Sequence, residues 1–551
     1  MRKPARVKPD LTWIRARQAL LTQVKAEVQS RLGDESDDVR AYRLRYESEF
    51  RRSWKLSSKS ELIGEIERAD LVYGADFHAL GQSQRTHLKI LRDLQAVDRP
   101  VTLALECFGV NVQKWLDLYT SGAISLEELR KRSRWEKSWG FPWENYRPLL
   151  ELAKKKGFQL LALNEPAGSR HHASLEVRER NASLRIRDAY LRSPASLLYI
   201  LFGDLHLAES HLPKLVRDQF RASFQLRDLI VHLNSERIYF QLARKGLELS
   251  TDVVKLGRNR YCVMSSPPWV QWQSYLLFLE RADDSNLDRG DEAAAEDFDP
   301  TDQVAGLIQL AARDLGLEKF KLDDLSVYPG DDNLIWQQLE HRLKRSEIEC
   351  ARGLLAAGRS FFVPSSGSGF LARATINHAA GLAGQYVHAK LSGRKRLLWN
   401  MPTDFPALIW VEAVAYFFSK LINHKRQSET LTDLKAQLAL AGPAEQGREA
   451  MRLALDQFMS ELVWIKQGRR RALQVRARRK ASYLEAARIL GGMMGERLYL
   501  AHRSRALSER EIVQYLRCDV TAKGFLKDYE QILREIGPLQ AAPTPSKRER
   551  L

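Results

Sequence analysis

The chain has 551 residues, 44% of them hydrophobic, and its 87 lysines and arginines outnumber 69 acids for a formal charge of +18. That length exceeds what one core organises and predicts two or three domains, while the lack of any uncharged apolar run of eighteen residues argues against a membrane span. The positive balance favours anionic partners without specifying a fold, and four scattered cysteines (Cys107, Cys262, Cys350, Cys518) suggest neither a disulfide framework nor a zinc–thiolate site.

Residues 1–57 read as an N-terminal helical segment, with Leu20, Leu21, Val24 and Val28 at three- and four-residue spacing among charges. Arg15, Arg17 and Lys25 interrupt any apolar leader. The expectation is therefore a cytoplasmic protein without a signal peptide or lipoprotein anchor.

Residues 58–280 alternate between strand-like and helical patterns. Strand-like runs fall at Leu71–Gly74, Val101–Leu105, Gln159–Leu163, Leu197–Phe202, Leu229–Leu233 and Arg260–Met264. Thr86–Leu94 and Trp143–Lys156 are examples of helices between them. Such alternation predicts an α/β domain, a mostly parallel sheet flanked by helices. Residues 281–302 read as an acidic linker, since Asp283–Asp302 holds nine carboxylates and one arginine. Residues 303–537 read as an all-α domain, broken most clearly at Ser365-Ser366-Gly367-Ser368-Gly369, and residues 538–551 as a disordered tail.

Two stretches carry the chemistry. In LVYGADFHALGQSQRTH (Leu71–His87) and LLYILFGDLHLAESH (Leu197–His211), a buried-strand pattern ends in an Asp and then a His: Asp76 with His78, Asp204 with His206. Ligand sites in open α/β sheets lie beyond the carboxyl ends of strands, so both histidines are candidates for one site. An adjacent carboxylate can orient an imidazole, the commonest metal ligand. Glu106 in PVTLALECF should end a strand at the same edge. Two histidines and a carboxylate make a facial set suited to Fe, Mn or Zn. In SRWEKSWGFPWENYRPLL the aromatics, Trp143 and Tyr146 among them, either wall a pocket for a flat ligand or pack a helix onto the sheet.

Residues from about 58 to 275 resemble the ChaN-like domain, the haem-binding-uptake branch of the Tiki superfamily. The first Asp-x-His loop with its following helix, ALECF, SRWEKSWGFPWENYRPLLELAKKKGFQLLALNEP and then GDLH carry the likeness in order. Ala75 stands where the first motif's glycine would be. The resemblance implies that His78, Glu106, Arg147 and His206 form the superfamily's shared polar site, and that its ligand is haem or a divalent metal. It also leaves room for a metal-dependent hydrolase on the same residues, with Arg147 stabilising an oxyanion, or for an interaction module with a decayed site.

The remaining half offers weaker candidates. His378, Gln385 and His388 share a face of one expected helix, and Glu412 and Tyr416 lie a turn apart on another. These suit either a second polar site or ordinary helix packing. Gly468–Lys480 carries seven basic residues and no acid, and as a helix it would attract an anionic partner.

Overall fold

The computed structural model describes residues 9–33, 35–94, 99–166, 175–221, 225–283, 300–317, 320–323, 325–329, 343–373, 375–439, 445–469, 472–536 and 550. Two compact units divide the chain, Met1–Phe278 and Leu279–Arg550. Most of the acidic stretch and of the terminal tail lies outside the described residues.

The first unit is built on eight strands: β1 (Lys55–Ser57), β2 (Leu71–Asp76), β3 (Val101–Gly109), β4 (Gln159–Asn164), β5 (Leu197–Gly203), β6 (Asp228–Leu233), β7 (Val253–Lys255) and β8 (Arg260–Val263). Their order is β1-β7-β8-β6-β2-β5-β3-β4. From β8 to β4 every pairing is parallel, while β7 runs antiparallel to both β1 and β8. All residues of β2 and β5 are buried, as expected of central parallel strands covered on both faces, which read as unbroken apolar runs. β5 enters between β2 and β3, so three carboxyl ends that are distant in sequence open at one sheet edge.

Helices on either face follow from local signals. Ser58 accepts the backbone N–H of Glu61 at 3.1 Å and starts the helix Lys59–Arg68. Gly157, at φ 69°, adopts the left-handed conformation that ends the helix Trp143–Lys156. The N-terminal helices Leu11–Leu32 and Asp37–Ser48 belong to this unit. The first buries Ile14, Leu21, Val24 and Val28 and the second Tyr42 and Tyr46, and the guanidinium of Arg17 lies over the rings of Trp13 and Trp269.

The second unit is mainly helical. Ile376–Ser392 and Lys480–Arg503 both pack on Phe405–Ile422 through glycines: a Cβ on Gly381 would stand 3.5 Å from the Ala415 carbonyl, and one on Gly491 2.5 Å from Glu412 Cβ. By length and composition Phe405–Ile422 could cross a membrane, but 89% of it is buried among its neighbours, as in a core helix. The unit also holds a small sheet, which corrects the all-α expectation. β9 (Ser326–Pro329) pairs in parallel with β11 (Ser368–Leu371), and β11 pairs antiparallel with β10 (Phe361–Val363). The Ser365–Gly369 break is thus mostly a hairpin turn between β-prone aromatics, in a region otherwise rich in helix formers.

The basic stretch needs a second correction. Residues 472–479 are not helical, and the helix starts only at Lys480. Asp456 accepts the backbone N–H groups of Gln474 (2.6 Å) and Val475 (2.9 Å), and Glu449 accepts that of Arg478 (2.8 Å). Backbone donors held by side-chain carboxylates are not free for a helical ladder.

Candidate functional site

The site grows from the pairing of β2 with β5, whose last residues, Asp76 and Gly203, are register partners. Beyond them the chain runs through Phe77 to His78 on one side, and through a short turn, Asp204–Leu207, to His206 on the other. Glu106 lies on β3 at a local register shift between Leu105 and Gly109. The two loops and the carboxylate therefore meet.

Each imidazole is held from behind by a carboxylate. Asp76 accepts from His78 Nδ1 at 3.0 Å, and Glu179 from His206 Nδ1 at 2.7 Å. A carboxylate on Nδ1 fixes the tautomer that leaves Nε2 as the available ligand atom. His78 Nε2 and His206 Cδ2 both lie 3.4 Å from where a Cβ on Gly203 would stand, and Glu106 Oε2 lies 3.2 Å from it. Gly203 has φ −51° and ψ 135°, a backbone open to any residue. Its missing side chain matters for space, because it leaves a cradle shared by all three groups.

The electrostatics keep these groups in defined states. Asp76, nearly fully buried, also accepts from Gln84 Nε2 (2.5 Å) and Tyr146 Oη (2.7 Å). Burial and the Asp76 charge push the Tyr146 hydroxyl well above its usual range, so it stays protonated and donates. Burial alone would raise the Glu106 carboxyl, yet Arg178, both histidines and the Gly203 N–H hold it below the ordinary carboxylate value. Burial likewise disfavours His78 imidazolium, but Asp76, Glu106 and Asp204 outweigh it and raise that pKa. Asp204 is pushed up to about 6 by burial, against the opposing pull of His78.

A cavity of about 1010 Å³ opens over this cluster, and Asp76, His78, Glu106, Asp204 and His206 line it. Aromatic walls come from Phe77, Phe141, Trp272 and Tyr275, and Tyr46 and Phe50 are contributed by the N-terminal segment. Phe141 stacks on Phe278 at 4.4 Å between centroids and stands 5.1 Å from the His78 ring.

Two expected site residues are placed elsewhere. Arg147 is half exposed and pairs with Glu151 (2.8 Å) and Glu144 (3.8 Å) on its own helix. It follows Tyr146 by one residue, about 100° around the helix, so when Tyr146 points at Asp76 the arginine points away. The arginine on Glu106 is Arg178, from the helix Leu175–Arg192. Trp143 is buried against Trp135 (4.8 Å) and does not line the cavity. From the same aromatic segment it is Phe141 that does.

Sequence reasoning missed Arg178 and Glu179. They lie in a helix dense in charges, where no periodicity marks which of them turn inward. The three- and four-residue helical spacing linking Leu175, Glu179, Ala182 and Ser183 is the signal that was there to find.

His78, Glu106 and His206 meet at one cradle, but the carboxylate is not open as a metal ligand. Glu106 is committed to Arg178 and to the Gly203 N–H at 2.6 Å. Among the described residues no group of three His, Cys, Asp or Glu side chains is arranged to hold a metal ion. The secondary candidates have separate roles in packing. His378 Nδ1 contacts Ser360 Oγ at 2.7 Å, Glu412 pairs with Arg359, and Tyr416 donates to Glu496 at 2.9 Å. Gln385 accepts the Phe362 N–H at 3.0 Å. His388 is sealed in the core, where burial and Arg394 lower its pKa to about 3.

Residues 62–181 match a family model described as haem-binding uptake, Tiki superfamily, ChaN. A solved structure titled "Cofacial heme binding to ChaN of Campylobacter jejuni" is 17% identical, covering 33% of this chain and 87% of that one at a TM-score of 0.27. No curated protein matches the chain.

Proposed function

From the ChaN-like haem-binding domain that the chain carries over residues 62–181, we propose that the first unit binds haem in the cavity above Gly203. The observation that carries this reading is the convergence of His78 and His206 on one cradle beneath aromatic walls. A volume of about 1010 Å³ suits a large ligand, since small-molecule pockets run to roughly 1,000 Å³. Flat apolar faces are met by Phe77, Phe141, Trp272 and Tyr275.

The residues present fit such a group. His78 and His206 would hold the iron through Nε2, with Asp76 and Glu179 fixing the ring orientations from Nδ1. Bound haem supplies an iron centre that accepts nitrogen lone pairs. Glu106 is neutralised by Arg178, so the floor beneath the imidazoles carries a paired charge. The divalent-metal hydrolase alternative would need Glu106 as a ligand, and that carboxylate is already engaged.

Titrating purified protein with haem and following the Soret band tests this directly. Wild type should give a saturable Soret change, and His78→Ala and His206→Ala should each weaken binding by about tenfold or more. A wild-type protein with no Soret response would sink the proposal.

A further inference from the structure

Six basic side chains line the cavity: Lys25, Arg43, Arg51, Arg178, Arg237 and Arg244. Three are already matched by carboxylates. Lys25 holds Glu236 at 3.0 Å, Arg43 holds Glu35 and Glu47 at 3.0 and 2.9 Å, and Arg178 holds Glu106. Arg51, Arg237 and Arg244 make no ion pair or hydrogen bond with any described residue. All three are exposed, whereas His206 is buried and His78 largely so. The cavity thus runs from imidazoles at depth to uncompensated arginines at its mouth.

Arg237 and Arg244 stand seven residues apart on the helix Glu236–Arg244, two turns along one face and about 10 Å apart along the axis. Between them Phe240, also lining the cavity, is buried. Cation, aromatic ring and cation in a row match one edge of a flat molecule that carries two carboxylates. An arginine presents a planar fork of donors that pairs with a carboxylate through two bonds. None of the three arginines falls within the family-matched segment, so this rim is a feature of the surrounding chain.

We infer that Arg237 and Arg244, with Arg51, bind the two carboxylates of an amphipathic planar ligand and so select dicarboxylate porphyrins over uncharged ones. The inference rests on the haem reading and adds which groups of the ligand face the mouth: its carboxylates.

The test compares haem with its dimethyl ester, by Soret titration, on wild type and on the Arg237→Ala/Arg244→Ala double variant. Both substitutions are at exposed positions, and an unchanged melting temperature checks that the fold is intact. Wild type should bind the ester at least tenfold more weakly than haem, and the double variant should bind the two alike. Equal binding of haem and ester by wild type would overturn the rim while leaving the haem reading intact. No response to either ligand would overturn both.

Discussion

Glu106, on β3, accepts the backbone N–H of Gly203, the last residue of β5, at 2.6 Å. The bond ties two neighbouring strand ends together and fixes the carboxylate beside the cradle that His78 and His206 share. Gly203→Ala should therefore separate shape from stability. The backbone there is unstrained for alanine, but the new methyl would press on Glu106 Oε2 at 3.2 Å and on both imidazoles at 3.4 Å. The melting temperature should change little. Haem affinity should drop by about tenfold or more, equivalent to ~1.4 kcal/mol. An alanine variant that binds haem like wild type would show that the cradle is not where the ligand sits.

Arg178 and Arg147 should behave as opposites. Arg178 neutralises Glu106, whose side chain is 3% exposed. Removing one partner of such a pair strands the other charge, at a cost of about 3–5 kcal/mol. Arg178→Ala should lower stability by that order in chemical denaturation at neutral pH. Glu106's pKa is lowered in the fold, so its contribution is full above the ordinary carboxylate range and fades as pH falls through the lowered value. The gap between wild type and Arg178→Ala should accordingly narrow in acid. Arg147→Ala, on the outer face of its helix, should alter neither the melting temperature nor the Soret titration. A loss of haem binding in that variant would restore the role that the family resemblance implied.

The contrast shows what the sequence could and could not reveal. The sheet was legible because central parallel strands are continuous apolar runs, and the Asp-x-His pairs follow those runs directly. The two-residue extension of β2 to Asp76 and the three-residue strands β1 and β7 were not, since such short pieces carry no period. Arg147 was misplaced by helix phase: Trp143, Tyr146 and Leu150 share the buried face, whereas Glu144, Arg147 and Glu151 share the wet one. Glu179 and Arg178 were missed for a different reason: helical spacing could mark Glu179 as inward-facing but not say what it faces. Only the folded sheet brings the helix Leu175–Arg192 against strand ends that lie far away in the chain. The cavity's N-terminal wall was hidden likewise, because helical spacing in residues 1–57 says what is buried but not against what.

His232 should set part of the acid sensitivity. It is fully buried on β6 and stacks edge-on to Phe50 (5.2 Å) and Tyr46 (5.7 Å); neither ring nitrogen has a hydrogen-bond partner in the structure. Burial, with Arg260 adding to it, lowers its pKa to about 3. The unfolded chain takes up the proton near pH 6.5 and the folded one only near 3. Stability is therefore full above about 6.5 and falls by up to ~1.4 kcal/mol per pH unit down to about 3. His232→Phe removes this titration while keeping a ring in place. Denaturation of the variant across pH 4–7 should show a shallower loss than wild type, and parallel curves would mean His232 is not the group responsible.

The last prediction concerns the helical unit, where close approach of two helices depends on Gly495. A Cβ there would run into the Ala413 carbonyl and stand 3.0 Å from Tyr416 Cβ and 3.1 Å from the Phe417 nitrogen. Most of these are backbone atoms, which cannot rotate aside, so the helices Phe405–Ile422 and Lys480–Arg503 would have to separate. Overpacking of this kind typically costs about 1–3 kcal/mol. Separation would also stretch the buried contact in which Lys420 Nζ lies 2.7 Å from both oxygens of Glu496, one residue further on. A buried ion pair tolerates little lengthening before its desolvation cost outweighs the attraction. Gly495→Ala should therefore destabilise the second unit by at least the overpacking cost. Gly306→Ala is a matched control, because nothing lies within 4 Å of a Cβ there. It should be neutral or slightly stabilising, as alanine suits a helix better than glycine. Haem titration should be unchanged in both variants, since the cavity is lined by residues of the first unit. Equal melting behaviour of the two would show that the helices repack without strain, and that Gly495 is not what sets their spacing.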